Sequence, residues 1–354
     1  MFKLSRRAAQ RAPAAIRRWC DPLAMPTLAA VEGGGTTFVA AIGTGDPLTI
    51  IERAEFPTKR TSAETLQEVA KWLSARNYDA LGVACFGPVD LDLASATWGH
   101  VTTTPKEGWQ NTDVMGPLLA ARRVPCLFDT DVNAPALEEF RHYAAEGQSS
   151  CAYVTVGTGV GIGLVVNGKM VKGLVHPEGG HIPALKRPED TYQGVGLHPW
   201  SIEGQVCAAA IAARAGVPAD RLKDIPDDSE VWLDVAYVLG SMCATLTLLC
   251  SIERIVLSGG VMQRASLFPK IRQATRRILN GYIHNPKVLG DGQDGIDSYI
   301  VPSERGNEAG IYGALALADA ALKQSQAEEI ADGENADYTS IRGIAALMNS
   351  CTSR

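Results

Sequence analysis

The chain has 354 residues, of which 20% are charged and 46% apolar, which is long enough for about two domains with well-packed cores. Six of its 33 basic residues lie within positions 1–20, where no acidic residue occurs, so the remaining chain carries 27 basic and 39 acidic residues. A net charge of −12 on this larger part argues against general binding to nucleic acid or to an anionic membrane surface.

The first 24 residues have a composition of their own. They are rich in Arg and Ala and contain no acidic residue before Asp21. This composition resembles an organelle transit peptide. The alternative is an unstructured extension, or a start codon placed too early, because Met25 directly precedes the first strand pattern. We therefore expect a cytoplasmic protein, or one of the mitochondrion or plastid if residues 1–24 are a targeting signal.

Strands and helices alternate from Met25 onwards. The apolar runs Leu28–Val31 and Phe38–Ile42 flank three glycines at 33–35, which predicts a strand, a tight turn and a second strand. Thr61 and Glu64 have the spacing of a capping box at the start of a helix.

Further elements complete the first half. Two short apolar runs, Ala80–Phe86 and Cys126–Phe128, predict buried strands, and residues 134–145 have the pattern of a helix.

The strand-turn-strand pattern then occurs a second time. Ala152–Val156 and Ile162–Val166 predict strands joined by the glycine-rich loop Gly157–Gly161, and Asn167-Gly168 is a strong hairpin-turn signal. Because a glycine-rich strand-turn-strand opens each half of the chain, we predict a duplicated α/β architecture with a cleft between two lobes.

The last third contains two long helical patterns. Val231–Cys250 and Ala309–Leu322 predict helices, with the strand Arg254–Leu257 between them. The uncharged run Val235–Ile252 reaches membrane-span length, but it contains Gly, Ser and Thr and a strand follows at once, so we predict a buried helix. Residues 325–354 turn polar and acidic and predict a solvated tail.

Closely spaced glycines let backbone N–H groups approach phosphate oxygens. A P-loop is absent, since G-x-x-x-x-G-K-[ST] does not occur. Gly157 and Gly159 do not match a dinucleotide fingerprint, because Ile162 stands at the third glycine position and a strand pattern follows. Two glycine loops of the strand-turn-strand kind remain, a geometry that suits a triphosphate held between lobes, although glycine hairpins commonly do no more than turn the chain.

Two polar motifs are candidates for chemistry. Asp129–Asn133 lies between a predicted strand and a predicted helix, where a carboxylate could accept a hydroxyl proton or simply cap the helix. His176–His181 brings a carboxylate and imidazoles into one short segment, which suits sugar hydroxyls or a metal, or a purely structural role.

Taken together, these motifs resemble those of the ROK family of sugar kinases, in particular its fructokinase branch. The motifs are, in chain order, Glu32–Thr37, Phe86–Asp90, Thr102–Lys106, Gly108–Asp113, Asp129–Asn133, Val156–Gly161, His176–His181, Leu257–Met262 and Gly306–Gly310. Their order agrees with the family over about residues 27–322, and six or more ordered motifs are far more specific than any one of them.

The resemblance implies a duplicated actin-like ATPase (ribonuclease H-like) α/β fold, with two lobes around a cleft for nucleotide and sugar. Residues 25–148 would form the N-terminal lobe, with the first phosphate loop and the catalytic Asp. Residues 149–324 would form the C-terminal lobe, with the second phosphate loop and the adenosine side. The resemblance also implies ATP and a hexose as substrates, Mg²⁺ bound with ATP, and a homodimer.

The resemblance assigns roles to individual residues. Asp131 corresponds to the general base. The implied sugar-binding residues are Asn133, Glu178, His181 and Glu203. The implied ATP and phosphate contacts are Glu32, Gly34, Gly35, Thr36, Thr37, Thr158, Gly159, Gly259 and Gly260.

The sequence departs from the branch at two places. The branch usually holds a zinc ion with the His at position 181 and a later Cys-and-His cluster, but Gly196 and Ser201 stand where cysteines are expected. Only His181 and His198 remain, so we expect structural zinc to be absent. Thr37 stands where many relatives have Lys, which removes one cation near the phosphates.

The sequence therefore predicts a fructokinase that transfers phosphate from ATP to D-fructose, with Asp131 as the base. One alternative is a kinase for mannose, glucose or an N-acetylhexosamine. The other is a non-catalytic sugar-binding member of the same family.

Overall fold

The computed structural model describes residues 25–144 and 146–329. Two five-stranded sheets form the centre of the molecule, and a short two-stranded sheet lies beside them. The strands are β1 Thr27–Gly33, β2 Thr37–Thr44, β3 Thr49–Pro57, β4 Ala80–Cys85, β5 His100–Val101, β6 Thr112–Asp113, β7 Cys126–Thr130, β8 Cys151–Val156, β9 Val160–Val166, β10 Lys169–Met170, β11 Ile255–Ser258 and β12 Ile300–Pro302. The helices are α1 Ser62–Ser74, α2 Met115–Ala121, α3 Asn133–Ala144, α4 Ile202–Val206, α5 Ala208–Ala215, α6 Glu230–Cys250, α7 Leu267–Leu279, α8 Pro286–Leu289, α9 Ile296–Tyr299 and α10, residues 309–329.

The first sheet has the strand order β3-β2-β1-β4-β7. Strands β1, β4 and β7 run parallel, and β2 and β3 are antiparallel. Gly33, Cys85 and Thr130 lie in one row at the carboxyl ends of the three parallel strands. This edge therefore brings together three of the motifs that the sequence singled out.

The second sheet repeats the plan of the first, with the order β10-β9-β8-β11-β12. Strands β8, β11 and β12 run parallel, and β9 and β10 are antiparallel. The predicted duplication is confirmed, with a strand-turn-strand unit at the start of each sheet. The sequence analysis had not predicted β3, in which charged and apolar residues do not alternate cleanly.

Helix α6 fills the core of the second half. Its buried residues pack with those of α7 and of the second sheet in one apolar cluster. Within the described part of the chain it is also the one helix long and apolar enough to cross a membrane. However, 61% of its most apolar 18-residue stretch is buried inside the protein. The prediction of a buried helix agrees with this packing.

The predicted capping box at α1 is not formed. Thr61 is the residue that precedes the helix, but its side chain makes no capping hydrogen bond. The hydroxyl of Thr65, one turn later, instead accepts a hydrogen bond from Lys59 N at 2.9 Å. A side chain of the second turn of α1, and not the residue before the helix, thus holds the segment that leads into α1.

Two helices pack on the sheet of the opposite half of the chain. Helix α3 follows the first sheet in sequence but packs on β8 and β9 of the second. Helix α10 comes last, yet its apolar residues Ile311, Leu315 and Leu322 join the buried cluster of β1 and β2. The predicted boundary near residue 148 separates the two sheets but not these two helices.

The first five residues of the predicted polar tail are helical. Helix α10 continues through residue 329, because a helix whose apolar face is anchored extends at little cost into polar sequence. The remaining part of the predicted tail, residues 330–354, and the predicted targeting segment, residues 1–24, lie outside the described residues.

The contact between the first sheet and α10 depends on Gly82. A Cβ atom at this position of β4 would lie 1.9 Å from the carbonyl oxygen of Ala314 and 2.5 Å from Ala318 N, both in the helix backbone. We expect Gly82→Ala to lower the free energy of unfolding by at least about 2 kcal/mol, because overpacking against backbone cannot relax through a rotamer change. Chemical denaturation measures the effect. Gly173→Ala, where a Cβ would meet nothing within 4 Å, is the control; equal stability of the two variants would contradict the packing described.

Candidate active site

Asp131 lies directly after β7 and before α3, at the carboxyl edge of the first sheet. Its backbone N–H donates to the carbonyl oxygen of Cys85 at 3.1 Å, which ties it to the end of β4. The end of β4 is tied in turn to β1, since Phe86 N donates to Gly33 O at 2.9 Å. The carboxylate is therefore held by the ends of all three parallel strands.

The surroundings of Asp131 make it a suitable proton acceptor. Burial and, to a smaller extent, the negative charge of Glu178 raise the pKa of its carboxyl group to about 6, although a backbone hydrogen bond opposes the shift. A base is most effective when its pKa lies near the operating pH. Because the raised pKa still lies below 7, most Asp131 side chains are ionised and able to accept a proton at neutral pH.

Glu32, at the end of β1, is a second carboxylate of raised pKa in this region. Burial and then the charge of Asp131 raise its pKa to about 7, while Arg53 opposes the shift. Its side chain lies against the start of α10, where a Cβ on Gly310 would be 2.0 Å from Glu32 Oε1. Carboxylate oxygens are ligands that Mg²⁺ accepts, so Glu32 and Asp131 are the residues that fit the cation of a Mg²⁺–ATP complex.

The first glycine loop joins β1 to β2. Gly34 N donates a hydrogen bond to Thr37 O at 3.0 Å. Thr58, just after β3, donates hydrogen bonds from its hydroxyl to Gly34 O and from its backbone N–H to Thr36 O. Gly35 is exposed, and a Cβ there would meet nothing within 4 Å. The tip of this loop is thus open to a ligand while its base is held.

Lys106 brings a cation to the first glycine loop. Its Nζ donates a hydrogen bond to Gly35 O. The segment is anchored nearby by Trp109, whose buried ring stacks on Phe38 of β2 at 5.0 Å and donates Nε1–H to Lys59 O. Sequence reasoning gives Lys106 no role at this loop, because its partner Gly35 lies 71 residues earlier in the chain. Thr37, which stands where many relatives have Lys, is the one signal in the sequence that a cation from elsewhere could lie here.

The second glycine loop joins β8 to β9 and includes the predicted phosphate contacts Thr158 and Gly159. Gly157 O accepts a hydrogen bond from Ala208 N, at the start of α5, at 2.8 Å. The carboxylate of Glu203 accepts one from Val160 N at 2.9 Å. The structure places the Glu203 carboxylate against this loop, where a Cβ on Gly159 would be 2.6 Å from Oε2, and its predicted contact with the sugar stays a prediction.

Gly259 and Gly260 follow β11 and lie beside the second loop. Gly259 has φ +93° and packs so tightly on β8 that a Cβ would be 2.4 Å from Val156 O, so no other residue fits there. Gly259 borders a cavity of about 280 Å³. Its other lining residues are Leu257, Ser258 and Met262 of the Leu257–Met262 motif, Gly306 and Asn307 of the Gly306–Gly310 motif, and Gln263, Pro302 and Ser303 beside them.

Asn133 does not reach the cleft. It is fully buried, and its side-chain amide donates to Asp129 Oδ1 at 2.9 Å and to Val171 O at 3.3 Å. Its Oδ1 accepts from Leu164 N of β9 at 3.1 Å. The protein itself thus occupies the hydrogen-bonding groups of this amide, and the predicted sugar contact stays a prediction.

The His176–His181 segment brings another carboxylate, that of Glu178, towards Asp131. His176 is buried, and its Nε2 accepts a hydrogen bond from Val89 N at 3.1 Å, which makes it the unprotonated nitrogen of a neutral ring. Its Nδ1 lies 3.5 Å from Glu178 Oε1. Glu178 is exposed and close enough to Asp131 to influence its pKa. This histidine joins the Gly87–Val89 turn to the segment that carries Glu178.

His181 and His198 lie together. Their Nδ1 atoms are 3.2 Å apart, and the ring of His198 packs on Trp200 with centroids 5.2 Å apart. Ser201, at one of the two missing cysteine positions, uses its Oγ to accept a hydrogen bond from Gly204 N at 3.1 Å. In residues 25–144 and 146–329 no group of three or more His, Cys, Asp or Glu side chains is arranged to hold a metal.

Comparison with known proteins agrees with this architecture. The crystal structure of a ROK hexokinase from Thermus thermophilus superposes with a TM-score of 0.66 at 23% sequence identity, over 84% of this chain and 99% of that one. This likeness confirms the predicted fold, a two-lobed architecture of the actin-like, ribonuclease H-like class.

The family follows from sequence. Residues 28–321 match the model of the ROK family. A putative fructokinase from Bacillus subtilis (strain 168) is 41% identical over 308 residues, which are 87% of this chain and 99% of that protein. A fructokinase from Pediococcus pentosaceus is 36% identical over 84% of this chain and 99% of that protein. The chain belongs to the ROK family.

Replacing the Asp131 carboxylate should abolish turnover. We expect Asp131→Asn to lower kcat by about 10²–10⁴-fold, since the amide is nearly isosteric but cannot accept a proton. In the wild type, kcat/KM should fall as the pH drops through about 6, because the carboxylate becomes protonated there. Steady-state kinetics from pH 5 to 8 measure both effects. Asp113→Asn, at an exposed position, is the control; more than half of the wild-type kcat in Asp131→Asn would rule out the general base.

Removing the Lys106 cation should weaken the use of ATP. We expect Lys106→Met to lower kcat/KM for ATP about tenfold or more, because a preorganised positive charge beside the phosphates is lost. A second change, Thr37→Lys, should restore part of the activity by supplying a cation from the same loop. Lys71→Met, on the exposed face of α1, is the matched control. Unchanged kinetics for Lys106→Met would show that its bond to Gly35 O is structural.

Proposed function

We propose that the protein is an ATP-dependent fructokinase that converts ATP and D-fructose into ADP and D-fructose 6-phosphate. The observation that carries the proposal is the position of Asp131, a carboxylate with a pKa near 6 at the strand ends of a sheet that is bordered by a glycine loop. The choice of fructose is supported by the relatives named fructokinase, which match this chain over nearly their whole length.

In the proposed reaction, Asp131 accepts the proton of the sugar hydroxyl while that oxygen attacks the γ-phosphorus of ATP. The bond from phosphorus to the bridging oxygen breaks, and ADP leaves with the electron pair. A Mg²⁺ ion bound with ATP would offset part of the negative charge of the phosphates, and Glu32 and Asp131 would be the residues to hold it. The chain contributes positioning and electrostatic stabilisation, which account for most catalysis in phosphoryl transfer.

The two glycine loops contribute amides to the phosphates in this proposal. Gly35, Thr36 and Thr37 form the first set, in a turn that Gly34 holds through its bond to Thr37 O, and Thr158 and Gly159 form the second. Lys106 adds a positive charge at the first loop. Gly259 borders the cavity proposed for the adenosine moiety, whose size of about 280 Å³ is compatible with a nucleoside, and Gly260 lies next to it in the chain.

The sugar is proposed to lie between Asp131 and the His176–His181 segment. Glu178 is the exposed carboxylate of that segment and is close enough to raise the pKa of Asp131. His181 uses Nδ1 for its contact with His198, so its Nε2 is the nitrogen available to a sugar hydroxyl. We also propose a cytoplasmic homodimer, on the strength of the family resemblance.

A sugar panel tests the substrate. We expect the purified chain to release ADP with D-fructose at a kcat/KM at least about tenfold above that for D-glucose, D-mannose and N-acetylmannosamine, since a site built for one arrangement of hydroxyls leaves polar groups unpaired with another. A coupled ADP-release assay measures each rate, and Asp131→Asn provides the background. Preference for another sugar would reassign the substrate, and no turnover with any sugar would support a non-catalytic sugar-binding protein.

A further inference from the structure

The segment from His181 to Glu203 needs a support other than zinc. The two imidazoles of His181 and His198 fall short of the four ligands that structural zinc requires. Gly196 offers no side chain, and the Oγ of Ser201 already accepts a hydrogen bond from Gly204 N. The donor set therefore does not fit the metal, although this segment leads into α4, which carries Glu203.

Arg214 of α5 forms a buried network at the back of this segment. Its Nη1 lies 2.7 Å from Asp190 Oδ1, and the two side chains are only 4% and 2% exposed. Burial alone would raise the pKa of Asp190, but the hydrogen bond from Arg214 leaves it below its ordinary value. The guanidinium also lies over the ring of Tyr192, 4.3 Å from its centroid.

The same guanidinium holds α4 through Gln205. Its Nη2 donates to Gln205 Oε1 at 2.6 Å, and its Nε donates to Gln205 O at 3.2 Å. The Gln205 side chain in turn donates to Pro199 O at 2.7 Å. One arginine thus joins the Asp190 turn, the 194–200 loop and helix α4. Such a fork of donors is specific to arginine, since a lysine ammonium cannot reproduce it.

The contacts continue from α4 to the second glycine loop. Glu203, two residues before Gln205, accepts the hydrogen bond from Val160 N. Ala208, at the start of the helix that carries Arg214, donates to Gly157 O. Both ends of the second glycine loop are therefore hydrogen-bonded to α4 and α5, the two helices that the Arg214 side chain joins.

We propose that Arg214 is a positioning residue: its buried network with Asp190 and Gln205 replaces a metal in holding α4, and through Glu203 it holds the second glycine loop. This proposal rests on the proposed function only for its kinetic consequence. Its structural part, that Arg214 and not a metal orders residues 194–205, stands apart from the substrate.

The test compares two conservative changes in the full chain. Arg214→Lys keeps a positive charge beside Asp190 but loses the fork onto Gln205. Arg276→Lys is the matched control. Arg276 also forms a fork of hydrogen bonds, to the main-chain carbonyls of Val288 and Gly290 and to the carboxylate of Asp291, but its segment carries no candidate site residue. Thermal melting shows whether each variant remains folded.

We expect Arg214→Lys to lower kcat/KM for ATP by about 10–10²-fold, as expected when a catalytic loop is displaced by about 1 Å. We also expect faster amide hydrogen exchange in residues 194–205, where Val195 N is bonded to Gly204 O. Arg276→Lys should change neither. Elemental analysis of the wild type should find well under one zinc per chain, and chelators should leave the exchange of this segment unaltered.

Three results would overturn the proposal: equal kinetics and equal exchange in the two variants, faster exchange without any kinetic effect, or one zinc per chain whose removal loosens residues 194–205. A wild type that phosphorylates none of the sugars would refute the proposed function instead. In that case the exchange measurement still decides whether Arg214 orders the segment.

Discussion

The geometry of the cleft depends on one buried amide, that of Asn133. It accepts a hydrogen bond from Leu164 N in the second sheet and donates to Asp129 Oδ1 at the end of the first. At the same point β9 approaches so closely that a Cβ on Gly163 would be 2.0 Å from Val132 O. Asp131, two residues before Asn133, is therefore held in a fixed relation to both sheets. If the sheets moved apart, this buried amide would lose hydrogen-bond partners and the folded state would lose stability. The contact therefore favours one arrangement of the lobes.

The two carboxylates of the cleft, Glu32 and Asp131, are linked by charge. Each is destabilised as an anion by burial, and the charge of Asp131 adds to the raised pKa of Glu32. Glu32 with a pKa of about 7 holds a proton about half of the time at neutral pH. A divalent cation brought in with a nucleotide would lower both pKa values, so arrival of the nucleotide and readiness of the base are coupled electrostatically.

Much of this could be predicted from the sequence, since the evidence was local. The two glycine-rich strand-turn-strand units, the core helix α6 and Asp131 after its strand all follow from short patterns of apolar residues and glycine. The roles of Asn133, Glu203 and Lys106 could not, because each is decided by a partner that is distant in sequence: Leu164, Val160 and Gly35. A motif gives the order of residues along the chain, but it does not show whether a polar group faces the cleft or a neighbouring strand.

The packing of α3 and α10 on the sheet of the opposite half of the chain affects when the protein can fold during its synthesis. One face of the first sheet, including Leu28, Ala30 and Ala41, is covered by residues that begin at 311. During synthesis, this face therefore emerges from the ribosome nearly 300 residues before the helix that covers it. Domains usually fold as units during synthesis, from the N-terminus onwards. Here the first sheet reaches its final packing only after residues 311–322 have been translated, and until then its apolar face is a surface for chaperones to shield.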